Sequence, residues 1–111
     1  MDPIGGGSFG GVDSKAERRA ARERVARYHE ESLASLISHV STDLDRYRAG
    51  EIDAYEVDET IHHYHRATQE LWKFCWGNSG GEHMLMIARI IDDPAYSLDP
   101  DWWERGAPRR R

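Results

Sequence analysis

Residues 51–76, EIDAYEVDETIHHYHRATQELWKFCW, constrain the whole chain, because they carry a helical apolar stripe that nothing inside the segment can cover. Asp53 stands three positions before Glu56, the reciprocal capping-box spacing, so the segment opens as a helix after Asp53. Val57, Ile61, Tyr64, Thr68, Leu71 and Cys75 then follow at alternating steps of four and three. That is a heptad-like seam, and a seam of this kind must be buried against another element. The pattern ends at Trp76, before Gly77.

The partner stands immediately upstream. Ser14 and Glu17 repeat the capping-box spacing, and a helical pattern runs from there to Ala49, with Gly50 as its left-handed stop. Its apolar positions are Val25, Tyr28, Leu33, Leu36, Ile37, Val40, Leu44 and Tyr47. The connection Gly50–Ile52 is short enough to force an antiparallel hairpin, in which position i faces roughly position 103 − i. At the rise of an α-helix the first arm reaches ~54 Å and the second ~35 Å. The stripe is absent before Val25, so the early turns of the first arm overhang the hairpin and meet solvent, the C-terminal segment or another subunit.

Downstream, Ser79 and Glu82 predict a third helix through about Ile91, with Met84, Leu85, Ile87, Ala88 and Ile91 on its apolar side and Asp92-Asp93-Pro94 as its end. Asp99 and Pro100 predict one short turn over 101–105, closed by Gly106 and bearing Trp102 and Trp103. The fold expected is all-α: an antiparallel two-helix hairpin, a shorter third helix and a Trp-bearing C-terminal turn. A hairpin cannot cover its own seam, so either the C-terminal elements form the missing wall or two hairpins pair as a bundle. The reading adopted is the hairpin with its C-terminal cover, assembled as a homodimer. Residues 1–12 read as a disordered Gly-rich leader, 13–106 as one helical domain and 107–111 as a basic tail.

Composition agrees. With 39% hydrophobic and 32% charged residues, the chain suits amphipathic helices with wide solvated faces better than a sheet core. The single cysteine, Cys75, excludes an internal disulfide and fits a reducing compartment. No apolar run is long enough to span a bilayer, and a soluble cytoplasmic protein is expected. The net charge of −5 hides an asymmetry: residues 14–27 hold six bases against two acids, whereas residues 28–70 hold ten acids against three bases. A basic segment followed by an acidic body permits electrostatic self-association as readily as nucleic-acid binding.

Four kinds of site follow from the residues. Glu59 and His62 have the Glu-x-x-His spacing that sets a carboxylate and an imidazole on one helix face, with His65 a turn beyond and His39 facing them from the first arm. Such a set would take zinc; iron would need more carboxylates. The plainer account is a polar flank in which the imidazoles stack on aromatic rings and hydrogen-bond to carboxylates. Trp72, Trp76, Trp102 and Trp103 form either a partner-binding surface or ordinary core. Arg18, Arg19 and Arg22 are the candidate nucleic-acid contacts, though no DNA-binding motif accompanies them and a solvated helix face explains them as well. For enzymes the chain offers no phosphate loop, nucleophile elbow or dinucleotide fingerprint. A non-enzymatic interaction module is therefore the leading expectation, with metal binding and weak nucleic-acid association as alternatives.

The segments IHHYHRATQELWKFCW (61–76) and DWWERGAPRRR (101–111) together resemble a family of small actinobacterial proteins, in which a helix ending in ELWKFC precedes a DWWERGAP-type segment. The resemblance covers most of residues 20–111. It implies an all-helical cytosolic bacterial protein and carries over no activity.

Overall fold

The computed structural model describes residues 11–77, 81–94 and 101–108. Four helices follow one another: α1 (Gly11–Arg48), α2 (Ala54–Trp76), α3 (Gly81–Asp92) and α4 (Trp102–Arg105), with no strand among the described residues. α1 and α2 form the antiparallel hairpin. Gly50, at φ 79°, supplies the left-handed turn that the sequence required of it. The Asp53 carboxylate accepts from the Glu56 backbone at 2.9 Å, and the Glu56 carboxylate accepts from the Asp53 backbone at 3.2 Å, so the capping box is complete. The expected register also holds, because the Thr60 hydroxyl donates to the Asp43 carboxylate across the hairpin at 2.5 Å.

Several boundaries differ from expectation. α1 is already helical at Gly11, so Ser14 lies inside the helix instead of capping it, and the last residues assigned to the leader are helical. The start of α3 at Ser79, the Asp99-Pro100 signal, residues 1–10 of the leader and Arg109–Arg111 lie outside the described residues. The cap of α4 is Asp101, whose carboxylate accepts from the backbone of Trp103 and Glu104.

The overhang of α1 is only partial. α3 lies along its N-terminal half, where Ala21, Val25 and Tyr28 join Met84, Ile87 and Ile91 in the core. Ala21, no part of the apolar stripe drawn from large residues, is 5% exposed; its small side chain permits close approach. Arg24 closes this packing with an ion pair to Asp92 at 2.8 Å, although Lys15–Ala20 remain exposed.

The seam is also rotated from its predicted position. The buried side chains of α2 are Thr60, Ala67, Leu71 and Cys75, whereas Ile61 is 47% exposed. On α1, Leu36 is buried but Ile37, one residue on, is 51% exposed. The hairpin buries the side on which its C-terminal elements sit, so Val57, Tyr64 and Thr68 of the predicted seam are only half-buried and Ile61 faces outward.

Gly106 explains how the tail sits so close. At φ −90° its backbone needs no glycine; a Cβ there would lie 2.5–2.7 Å from the backbone and Cβ of Ala67, so the requirement is spatial. Gly106→Ala should push α4 off α2 and cost about 1–3 kcal/mol. Chemical denaturation would read the loss, and limited proteolysis would show the C-terminal segment newly cleavable; an unchanged midpoint and digest would contradict this account of the docking.

Candidate functional site

The tail docks on the hairpin through its two tryptophans. Trp102 is 6% exposed and its indole N–H donates to the Tyr28 hydroxyl at 2.9 Å, while its ring packs at 5.4 Å on Phe74. The Arg105 guanidinium lies 5.1 Å from the Trp102 ring, a cation–π contact. Trp103 stands between two imidazoles, His39 of α1 at 4.2 Å and His63 of α2 at 3.6 Å, both stacked. A ring nitrogen of His63 also donates to the Trp103 carbonyl at 2.7 Å, and Arg66 donates to the Gly106 carbonyl at 2.8 Å. Of the two readings open for Trp102 and Trp103, partner surface or core, these contacts make both part of the chain's own fold.

This arrangement disperses the candidate metal set. His39 is held against Trp103 on the covered side of the hairpin. His65 stands two residues beyond His63, about 200° around α2, and so on the other side. His62 turns back along its own helix, with Nδ1 at 2.9 Å from the Asp58 carbonyl. Glu59 and His62 border a polar hollow of about 540 Å³ at the turn end of the hairpin, which Asp43, Arg46 and Arg66 also line. Among the described residues no three His, Cys, Asp or Glu side chains gather as a metal-holding group. The set Glu59, His62, His65 and His39 does not converge within one chain, for zinc or for iron.

The open side of the hairpin has a different character. The stripe Leu33, Ile37, Val40 and Leu44 of α1 runs alongside Val57, Ile61, Tyr64 and Thr68 of α2, with Trp72 continuing it. Leu33, Val40, Leu44, Val57, Tyr64 and Thr68 are half-buried between the helices, whereas Ile37, Ile61 and Trp72 face solvent. Trp72 is 54% exposed and borders a shallow apolar groove of about 520 Å³ with His29, Thr68, Gln69 and Lys73. Residues 32–42 of α1, SLASLISHVST, contain no Asp, Glu, Lys or Arg in a chain that is 32% charged. The stretch is uncharged, with small Ser and Ala residues flanking Leu33, Ile37 and Val40, and its outer side meets water.

Trp76 and His29 bound this face at the α3 end. The Trp76 indole N–H donates to His29 Nδ1 at 2.8 Å, which fixes Nδ1 as an unprotonated acceptor. Burial lowers the His29 pKa from its ordinary 6.5. Cys75, fully buried in the core beneath, has its thiol pushed up to about 12 by the same cause, and as a buried thiol it is no nucleophile. Arg18, Arg19 and Arg22 lie exposed on α1. No helix of the described residues is long and apolar enough to cross a membrane.

Comparison of the chain with protein-family models, with curated proteins and with solved structures finds no match.

His29 gives a pH dependence whose sign follows from its geometry. The unfolded chain takes up a proton below pH ~6.5, while the folded chain resists until its lowered pKa is reached, so this contribution is complete above pH ~6.5 and declines below it. The denaturant midpoint should fall between pH ~7 and ~5 more steeply for the native chain than for His29→Gln, whose amide oxygen still accepts from Trp76. Parallel profiles for the two proteins would rule out this role for His29.

Proposed function

We propose that the protein is a non-enzymatic helical interaction module that works by protein–protein contact through the open face of its hairpin. The supporting observation is the contrast between the two sides of one hairpin. One is closed by Trp102, Trp103 and α3, and the other presents Ile61 and Trp72 of α2 to solvent beside Ile37 in an uncharged stretch of α1. Scattered surface hydrophobics are ordinary, but a contiguous apolar strip on a monomer marks a contact surface. The tail is what makes the face available, because it supplies a core that a lone hairpin lacks and leaves the heptad stripe free for a partner.

In the cells that make the protein, a photo-crosslinking side chain at Ile37, Ile61 or Trp72 should give a discrete adduct, whereas the same group at Glu104 should give none. Absence of an adduct from all three positions would overturn the reading.

A further inference from the structure

The hollow at the turn end of the hairpin takes its charge from the acids Asp43, Glu56 and Glu59 and the bases Arg46 and Arg66. Most of these are committed within the fold. Asp43 accepts from the Thr60 hydroxyl and from Arg46, whose Nε also lies 3.5 Å from Glu51. Glu56 closes the capping box with Asp53. The imidazoles on the wall are engaged as well, His62 with Asp58 and His63 with the Trp103 carbonyl.

Two charges are left over. Among the described residues the Glu59 carboxylate has neither a hydrogen-bond donor nor an ion-pair partner. Arg66 is half-buried; its Nε donates to the Gly106 carbonyl, and no carboxylate of the described residues comes within 4.0 Å of its guanidinium. A guanidinium partly withdrawn from water lacks its best partner there, an anion that accepts two parallel N–H bonds. A phosphate is the wrong one, since the hollow already holds one more acid than base. A monocarboxylate that carries its own cation suits both leftover groups.

Their spacing sets the size of that ligand. Glu59 and Arg66 stand seven residues apart on α2, ~10.5 Å along the helix and within ~20° of one face. A carboxylate on the Arg66 fork and an ammonium on Glu59, each at a charge-assisted bond of about 2.8 Å and about 3 Å apart within the ligand, together span roughly 8–9 Å. That separation of charges is the one in an α-amino acid. Ile52 and Pro108 supply apolar wall for its side chain.

We infer that this hollow binds a free α-amino acid with a small apolar side chain, its carboxylate on Arg66 and its ammonium on Glu59. The site stands apart from the open face and goes beyond the contact role proposed for that face. Because Arg66 also holds the Gly106 carbonyl and Pro108 is part of the wall, the complete site exists only while the tail is docked, and the ligand favours that state.

Proton–nitrogen NMR spectra of the full chain, titrated with L-valine, test it. Saturable shifts should gather at Ile52, Glu59, His62 and Arg66, with a dissociation constant on the order of 1 mM, as suits a wall open to water. Isovalerate lacks the ammonium and isobutylamine the carboxylate, and each should bind roughly fivefold more weakly. Glu59→Gln, at an exposed and uncommitted side chain, should weaken valine roughly fivefold, leave isovalerate unchanged and leave the rest of the spectrum in place. No saturable shift at tens of millimolar valine overturns the inference. So does isovalerate or isobutylamine binding as tightly as valine, which would make the hollow a plain anion or cation site, and so does valine binding that Glu59→Gln leaves untouched.

Discussion

The structure depends on the docking of a four-residue helix. α4 is too short to be stable alone, since nucleating a helix is unfavourable and four residues return little for it. It is held because Trp102 fills a hole lined by Tyr28 and Phe74, because Trp103 is clasped between imidazoles from both arms of the hairpin, and because Gly106 lets its backbone approach Ala67. Burying a tryptophan is worth about 3–5 kcal/mol by the cost of its removal, a large share of the total stability of a chain this size. These contacts tie α1 to α2 from one side, and the hairpin acquires a closed face and an open one.

Much of the architecture was legible in local chemistry. The Asp53–Glu56 box, the left-handed stop at Gly50, the short connection and the end of α2 at Trp76 all stand where residue spacing put them, because each is decided within a few residues. Starts set by weaker signals moved: α1 begins before Ser14, whose box was overridden by helix already present at Gly11. Which half of a heptad stripe lies inside was not legible. Periodicity identifies a face, but a long-range partner decides which side of it is covered, and here His63 and Thr60 outcompeted Ile61 for the inner position because Trp103 and Asp43 met them there.

The candidate site divides along the same line. The histidines of IHHYH read as ligands by spacing, yet His63, the one not singled out, proved structural, and it shares its helix face with Thr60 and Ala67 at steps of three and four. That shared face was the available signal. The expectation that imidazoles stack on aromatic rings was sound in kind, and the ring is Trp103. Trp72 alone of the four tryptophans lies mostly in solvent, a distinction that no pattern within residues 61–76 drew.

The separation in sequence between Tyr28 and Trp102, 74 residues, has a consequence for how the chain reaches this state. The hairpin closes through contacts local in the chain, which form early because little loop entropy is lost in making them. The tail must search for its seat across a much longer loop, so it arrives last. Until then the seat of Trp102 and Trp103 on the hairpin is bare as well as its open face. The sidedness of the finished molecule is thus acquired in the final step of folding, when the chain's own C-terminal segment claims one surface before any neighbour does.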